Sequence, residues 1–387
     1  MKNLIYISFL CIVGLYLASC KKADNTVSGL SDNFLNYAIQ DVPVTKDYLI
    51  GASYLFAPTY GSALYKPLFG QTPNLGEYAN IKSPITGSTA RVVDSQLVWM
   101  NRAKIDFVIL TIRSGTTANS SYKTDTAYVN RILSSKYIGN IKIAFAYDFT
   151  GLALGSTYPS PADSTMLIER KPNALTNYIK DYTTYMAPYF SNSKYLKLGT
   201  KNVVFLLNGY RLFAKSNSSV TTQLRAALTA INQQIYLVGQ QAAWSPPDRY
   251  EERFHNAVDA IYHATYLNIP TNDLVRFSAF HQCTDQAWKY SKQIFNTWGV
   301  EYIPNIGPSY NLNLSSPNAI SSVYDPYFKK DSVFFVKYCN VAKASTDVSR
   351  LILIDSWNSW STDSQVEPAK QYGDRYIKIL RDQFKVK

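Results

Sequence analysis

The chain has 387 residues, with 39 Lys and Arg against 27 Asp and Glu, and a formal net charge of +12 at pH 7. Hydrophobic residues make up 46% and charged residues 17%, a globular composition that excludes a disordered chain, and four Cys exclude a disulfide-stapled scaffold. Aromatic residues reach 14%, with 31 Tyr, 18 Phe and 6 Trp. Their flat apolar faces, with one polar handle on Tyr and Trp, suit carbohydrate stacking as well as core packing. The basic residues are scattered singly apart from Lys21-Lys22 and Lys329-Lys330, a pattern that argues against a nucleic-acid partner. Three His without ligand spacing argue against a metal site, and no phosphate-cradling loop or nucleophile elbow points to a cofactor or a Ser-His-Asp triad.

Residues 1–19 read as a lipoprotein signal peptide: a basic Lys2, an apolar run Leu4–Leu17 too short for a comfortable span, then Leu17-Ala18-Ser19 in front of Cys20. Cys20 is the expected lipidation site (palmitate-type acyl chains). Residues 20–45 read as a polar tether, which predicts a bacterial cell-envelope protein anchored to a membrane. Residues 46–387 form the folded body. The remaining cysteines, Cys283 and Cys339, either pair or stay as buried thiols.

The body repeats a short β-branched run, a turn and a longer amphipathic stretch. The runs are Tyr48–Tyr54, Phe107–Thr111, Lys142–Tyr147, Asn202–Leu207, Ile235–Gly239, Val258–Tyr262, Glu301–Ile306 and Leu351–Ser356. Helical spacing lies at Ala90–Arg102, Thr124–Lys136, Leu175–Tyr189, Val220–Asn232, Asp285–Trp298, Tyr327–Ala344 and Gln371–Phe384. Near-continuous apolar runs suit parallel strands buried on both faces, and the alternation predicts a single (β/α)8 TIM-type barrel. An open doubly wound sheet is the alternative, but no GxGxxG follows any strand.

In such a barrel the site lies at the C-terminal ends of the strands. The residues expected there include Tyr54, Tyr60, Arg113, Asp148, Asn208, Tyr262, His263, Tyr310 and the run Asp355-Ser356-Trp357-Asn358-Ser359-Trp360. Rings that stack on sugar C–H faces, with amides and guanidinium for hydroxyls, suit a neutral polyhydroxylated ligand. Each has a plainer alternative: Asp355 could cap a helix or pair with Arg113 or Arg211, Glu367 could favour a helix dipole, and His263 could pack the rim.

Residues 351–369, LILIDSWNSWSTDSQVEPA, resemble the last strand and loop of the glycoside hydrolase family 99 endo-α-mannosidases and related lipopolysaccharide-locus barrel proteins. That family carries Ser-Phe-Asn-Glu-Trp-x-Glu-Gly-x-Gln-Ile-Glu there. Pro73–Tyr78, Ile105–Phe107, Phe254–Tyr262 and Tyr302–Tyr310 are similar to four further family stretches in the same order. The resemblance implies a glycan, of α-mannoside type, as substrate or ligand. It also implies that Ser359 and Thr362 stand where the family has its catalytic glutamates, in a frame that keeps Ser356, Trp357, Asn358, Trp360, Gln365 and Glu367. Hydroxyls do not titrate near neutral pH and cannot act as a carboxylate pair. Three readings follow: a glycan-binding barrel without turnover, a hydrolase using relocated acids (Asp355 with Asp148 or Asp363), and a structural surface protein with a vestigial pocket. In either of the first two, Tyr54, Tyr310, Trp357 and Trp360 are the expected sugar platforms, and Asn358, Gln365, Arg113 and Asn208 the hydroxyl partners.

Overall fold

The computed structural model describes residues 35–55, 72–75, 88–117, 119–152, 167–241, 254–265, 279–311, 327–328 and 330–387. The chain divides into a short unit, Met1–Ala38, described only over 35–38, and a body, Ile39–Lys387. Cys20 and Tyr60 lie outside the described residues, as do Trp244 and Tyr266, expected at the mouth after the fifth and sixth strands, and the side chain of Arg211.

The body is a parallel barrel. β1 (Leu49–Tyr54), β2 (Phe107–Arg113), β3 (Lys142–Asp148), β4 (Lys201–Leu207), β5 (Ile235–Gln241) and β6 (Ala260–His263) pair in that order. β7 comes in two pieces, Glu301–Ile303 and Asn305–Ile306, and β8 is Leu351–Ile354. The first piece of β7 pairs with β6, the second with β8, and β8 pairs with β1, so the sheet closes through β7. The break falls at Pro304, which has no N–H to give a neighbour. Its carbonyl still accepts Leu353 N–H at 2.9 Å, so the ladder continues across the break.

Alternation along each strand sorts the side chains. Phe107, Ala144, Phe205, Val238, Tyr262, Ile303 and Leu353 fill the barrel interior, while Ile50, Leu110, Phe145, Val204 and Ile352 face the helices. Gly51 sits on the inward face of β1 beside Phe107, whose ring occupies the space a Cβ would take, 2.1 Å from Phe107 Cζ.

Helices α1 (Ser88–Ala103), α2 (Asn119–Leu133), α4 (Asn217–Thr229), α5 (Phe280–Thr297), α6 (Ser332–Ser345) and α7 (Arg375–Phe384) cover the outside. Between α2 and α4, α3 runs from Ala174–Lys180 through a π-helical Asp181–Met186 into Ala187–Phe190. The sequence predicts a helix from Tyr327. Instead Tyr327–Phe328 pairs antiparallel with Tyr310–Asn311, and α6 begins at Ser332, where the Asp331 carboxylate accepts Phe334 N–H at 2.7 Å as an N-cap. The final helix starts at Arg375, after Gly373 in a left-handed conformation, rather than at Gln371. Cys283 on α5 and Cys339 on α6 are thiols and are not joined to each other.

Candidate functional site

The mouth is built from the C-terminal ends of the strands. In a parallel sheet register partners face the same side, so Asn305, beside inward Leu353, points into the barrel, and Asp355 continues the inward row of Leu351 and Leu353. Asp148 continues the inward row of Ala144 and Ala146 on β3. Asp148 and Asp355 thus face the same mouth from strands three places apart in the ring.

Asp355 is half-buried and follows the last residue of β8, with a cis peptide to Ser356. Thr265 Oγ1 donates to its Oδ2 at 3.2 Å. Burial raises its pKa above the ordinary carboxylate value, and the hydrogen bonds from Thr265 and Asn305 oppose that rise. Asn305 is buried: its amide donates to the His263 carbonyl at 3.1 Å, and its Oδ1 has no hydrogen-bond partner. Tyr262 and Tyr338 lie close enough to feel the Asp355 charge.

After Ser356 the chain folds into a tight loop whose hydroxyls bond to one another. Ser359 Oγ lies 2.8 Å from Thr362 Oγ1, which is 3.0 Å from Ser364 Oγ and also donates to the Ser359 carbonyl at 3.3 Å. Ser356 Oγ accepts Ser359 N–H at 2.7 Å and is 3.4 Å from Ser364 Oγ. Ser359 and Thr362 are therefore neighbouring members of one hydroxyl cluster.

The aromatic and amide residues of this loop are largely spent on holding it. Trp357 is fully buried and its backbone N–H donates to the Ser53 carbonyl at 2.8 Å. Asn358, also buried, grips the end of β1 from both sides: its Oδ1 accepts Leu55 N–H at 2.8 Å and its Nδ2 donates to the Leu55 carbonyl at 3.0 Å. Glu367 is the hub of a buried chain rather than a first-turn helix residue. Tyr54 donates to Gln96 Oε1 at 2.5 Å, and Gln96 Nε2 donates to Glu367 Oε1 at 2.9 Å. Trp360 Nε1 donates to Glu367 Oε2, also at 2.9 Å. Tyr54, Trp357 and Trp360 are thus enclosed, while Tyr310 is half-buried on the short pair with Phe328.

Asp363 adopts a left-handed conformation at the end of the Trp360–Thr362 turn. Ser309 Oγ donates to its carbonyl, and its Oδ1 is 3.4 Å from Lys330 Nζ. Gln365 is buried and lies 3.5 Å from the Tyr372 hydroxyl, and its carbonyl accepts Lys330 Nζ at 2.7 Å. Arg113 does not pair with Asp355: its Nε and Nη2 take both oxygens of Asp125 on α2, at 2.9 and 2.5 Å, and Asp125 raises its pKa. Asn208, left-handed at φ 57°, accepts the Tyr210 hydroxyl at 3.1 Å and gives its N–H to Gln240 Oε1 at 2.6 Å. His263 is buried against the Tyr302 hydroxyl, 2.9 Å from Nδ1, and burial lowers its pKa to about 3, so it stays neutral. Tyr262 lies inside the barrel, edge-on to Phe205.

Gln96, Thr265, Asp125 and Lys330 were not singled out by sequence. Gln96 had a signal, being a polar residue within the apolar stripe of Val93, Leu97 and Met100 on α1. Lys330 carries no signal in the sequence beyond its place in the Lys329-Lys330 pair. Among the described residues no group of His, Cys, Asp and Glu is arranged to hold a metal ion.

A family model described as "Glycosyltransferase WbsX" matches residues 157–380. A solved structure titled "Glycoside hydrolase-like protein" is 28% identical, covers 92% of this chain and 99% of its own, and superposes with a TM-score of 0.77. Two structures of the GH99 endo-alpha-mannosidase from Bacteroides thetaiotaomicron, one with bis-tris-propane, are 15% and 13% identical, with TM-scores of 0.57 and 0.56. Each covers 88% of this chain, with 98% and 100% of its own length matched, and at that identity they share its fold. No curated protein sequence matches the chain.

Proposed function

The chain belongs to the WbsX glycosyltransferase family, and from that premise we propose that its barrel mouth binds a glycan without the carboxylate-pair hydrolysis of the endo-α-mannosidases it resembles. The observation that carries this reading is the 2.8 Å contact between Ser359 Oγ and Thr362 Oγ1, inside a cluster that also takes in Ser356 and Ser364. A glycosidic oxygen needs a proton from an acid that titrates near the working pH, and the opposite face of the sugar needs a carboxylate. Two hydroxyls that bond each other supply neither. What the mouth does offer is hydrogen bonding: the carboxylates of Asp355 and Asp148 face it as acceptors for sugar hydroxyls, with Thr265 and Asn305 buried behind Asp355 and holding it. An α-mannoside is the ligand class suggested by the relatives. We also propose that the protein is held at a membrane of the bacterial cell envelope by lipid on Cys20.

The second reading, an active hydrolase or transferase with relocated acids, is favoured by Asp355. Burial raises its pKa, which is what a general acid requires, and Asp148 faces the same mouth. The experiment that separates the two applies the purified full chain to a glycan array and then assays each bound glycan for released product. Binding without release is expected, with affinity within threefold of wild type in Ser359→Ala. Release by wild type that disappears in Asp355→Asn, with binding kept, would overturn the binding-only reading in favour of relocated acids.

A further inference from the structure

Lys330 stands two residues before α6, just ahead of the Asp331 cap, so the rigid start of that helix fixes where its side chain begins. The side chain is buried, only 5% exposed, and crosses to the loop after β8. Its ammonium donates to the Gln365 carbonyl at 2.7 Å, lies 3.4 Å from Asp363 Oδ1, and sits 5.2 and 5.4 Å from the ring centres of Tyr372 and Tyr376. Those distances are within cation–π range. Ser309, from beyond the end of β7, holds the Asp363 carbonyl on another side. The left-handed Asp363 is where the chain reverses out of the Trp360–Thr362 turn, and the amides on either side bond within the loop. Ser364 N–H donates to the Ser359 carbonyl at 3.2 Å, and Val366 N–H to the Ser356 carbonyl at 3.1 Å.

We infer that Lys330 is the positioning residue of the strand-eight loop, pinning Asp363 and the Gln365 carbonyl so that the hydroxyl cluster of Ser359, Thr362 and Ser364 keeps its shape beside the mouth. Its functional meaning rests on the glycan-site reading; the anchoring itself does not.

A lysine taken out of water strains toward its neutral form, and here burial lowers its pKa to about 8, with Asp363 opposing. The titratable groups facing it are Asp363 and the phenols of Tyr372 and Tyr376. Burial raises Tyr372 above its ordinary value and Tyr376 to about 12. If the loop opens, Lys330 returns to the ordinary 10.5. Closing then releases a proton above pH 8, so the closed loop gains on the open one as pH rises, by at most about tenfold per pH unit.

The test is amide hydrogen exchange of the full chain read on peptides spanning 356–367, as protection factors from pH 7.5 to 9.5, a range that stops short of ordinary tyrosine titration. Wild-type protection should rise several-fold across that range. Lys330→Met, which leaves the Gln365 carbonyl and Asp363 without the donor that the amine supplies in either protonation state, should lose at least tenfold at pH 7.5 and show no rise. Lys330→Arg should keep protection within about threefold of wild type at pH 7.5 and show no rise, because a guanidinium stays charged throughout. Peptides from β3 and β4 should be unchanged in all three, which separates a local anchor from general destabilisation. Wild-type protection that is flat with pH, or Lys330→Met protection equal to wild type, would overturn the inference. Absence of glycan binding alongside the expected exchange pattern removes the glycan reading and leaves the anchor standing.

Discussion

Asp355 carries the sharpest consequence at the scale of single residues. Its carboxyl is raised by burial in the folded state, so the folded protein holds that proton to higher pH than the unfolded chain does. Its contribution is therefore most favourable below the unfolded pKa, and is lost as pH rises through the folded one. Each unit of such a shift corresponds to about 1.4 kcal/mol. Asp355→Asn removes that dependence, so the stability of the variant relative to wild type should improve between pH 4 and pH 7. Urea denaturation at the two pH values measures it; a difference that stays constant would show that the carboxyl is not desolvated. The sequence placed Asp355 and Asp148 at strand ends, and placed Ser359 and Thr362 opposite the glutamate positions of the resembled family. It did not reveal the fate of the aromatics. A tryptophan has the same composition signal whether its ring faces solvent or, as with Trp360, gives its N–H to a buried Glu367. That partner lies seven residues away and the next, Gln96, belongs to a different element, so no local pattern encodes the chain of bonds.

The strands were legible because parallel strands buried on both faces read as near-continuous apolar runs, with boundaries within two residues of those observed. The helix expected from Tyr327 was not, since its aromatic spacing also suits a short strand, and the Asp331 cap decides the matter. Pro304 is the clearest case of an element shaped by one residue. A strand that must pair with β6 on one side and β8 on the other changes partner where a backbone donor is missing. Gly51 shows the converse, a strand residue chosen for what it lacks. Gly51→Ala would drive a methyl into the Phe107 ring, which is fully buried and stacked on Phe205 at 6.2 Å. The expected loss is about 1–3 kcal/mol. Combining it with Phe107→Leu should cost less than the two changes added separately, because the smaller side chain vacates the contested space. Thermal or chemical denaturation of the four proteins checks this; strict additivity would mean that the two residues do not compete.

For the whole molecule, the expected lipid anchor makes a separable prediction. Cys20→Ser should leave the membrane fraction while retaining the circular dichroism and melting behaviour of the wild-type protein, since Cys20 lies outside the residues that build the barrel. Unchanged partitioning into membranes would remove the lipidation reading. No described helix is long and apolar enough to cross a membrane. The path of the chain into the body gives the prediction a direction. Asp41–Val44 lie along the C-terminal half of α6, where Val42 N–H donates to Asn340 at 2.9 Å and Lys343 Nζ to the Val42 carbonyl at 2.7 Å. Together with the segment from Asp382 to Lys387 they line a cavity of about 620 Å³. Tyr48 N–H then meets the Phe384 carbonyl just before β1 begins. All of this is at the N-terminal ends of the strands, the pole opposite Asp148 and Asp355. The stretch from Asp41 to Tyr48 is thus spent on the floor of the barrel, and leaves the strand ends that carry Asp148 and Asp355 clear of it.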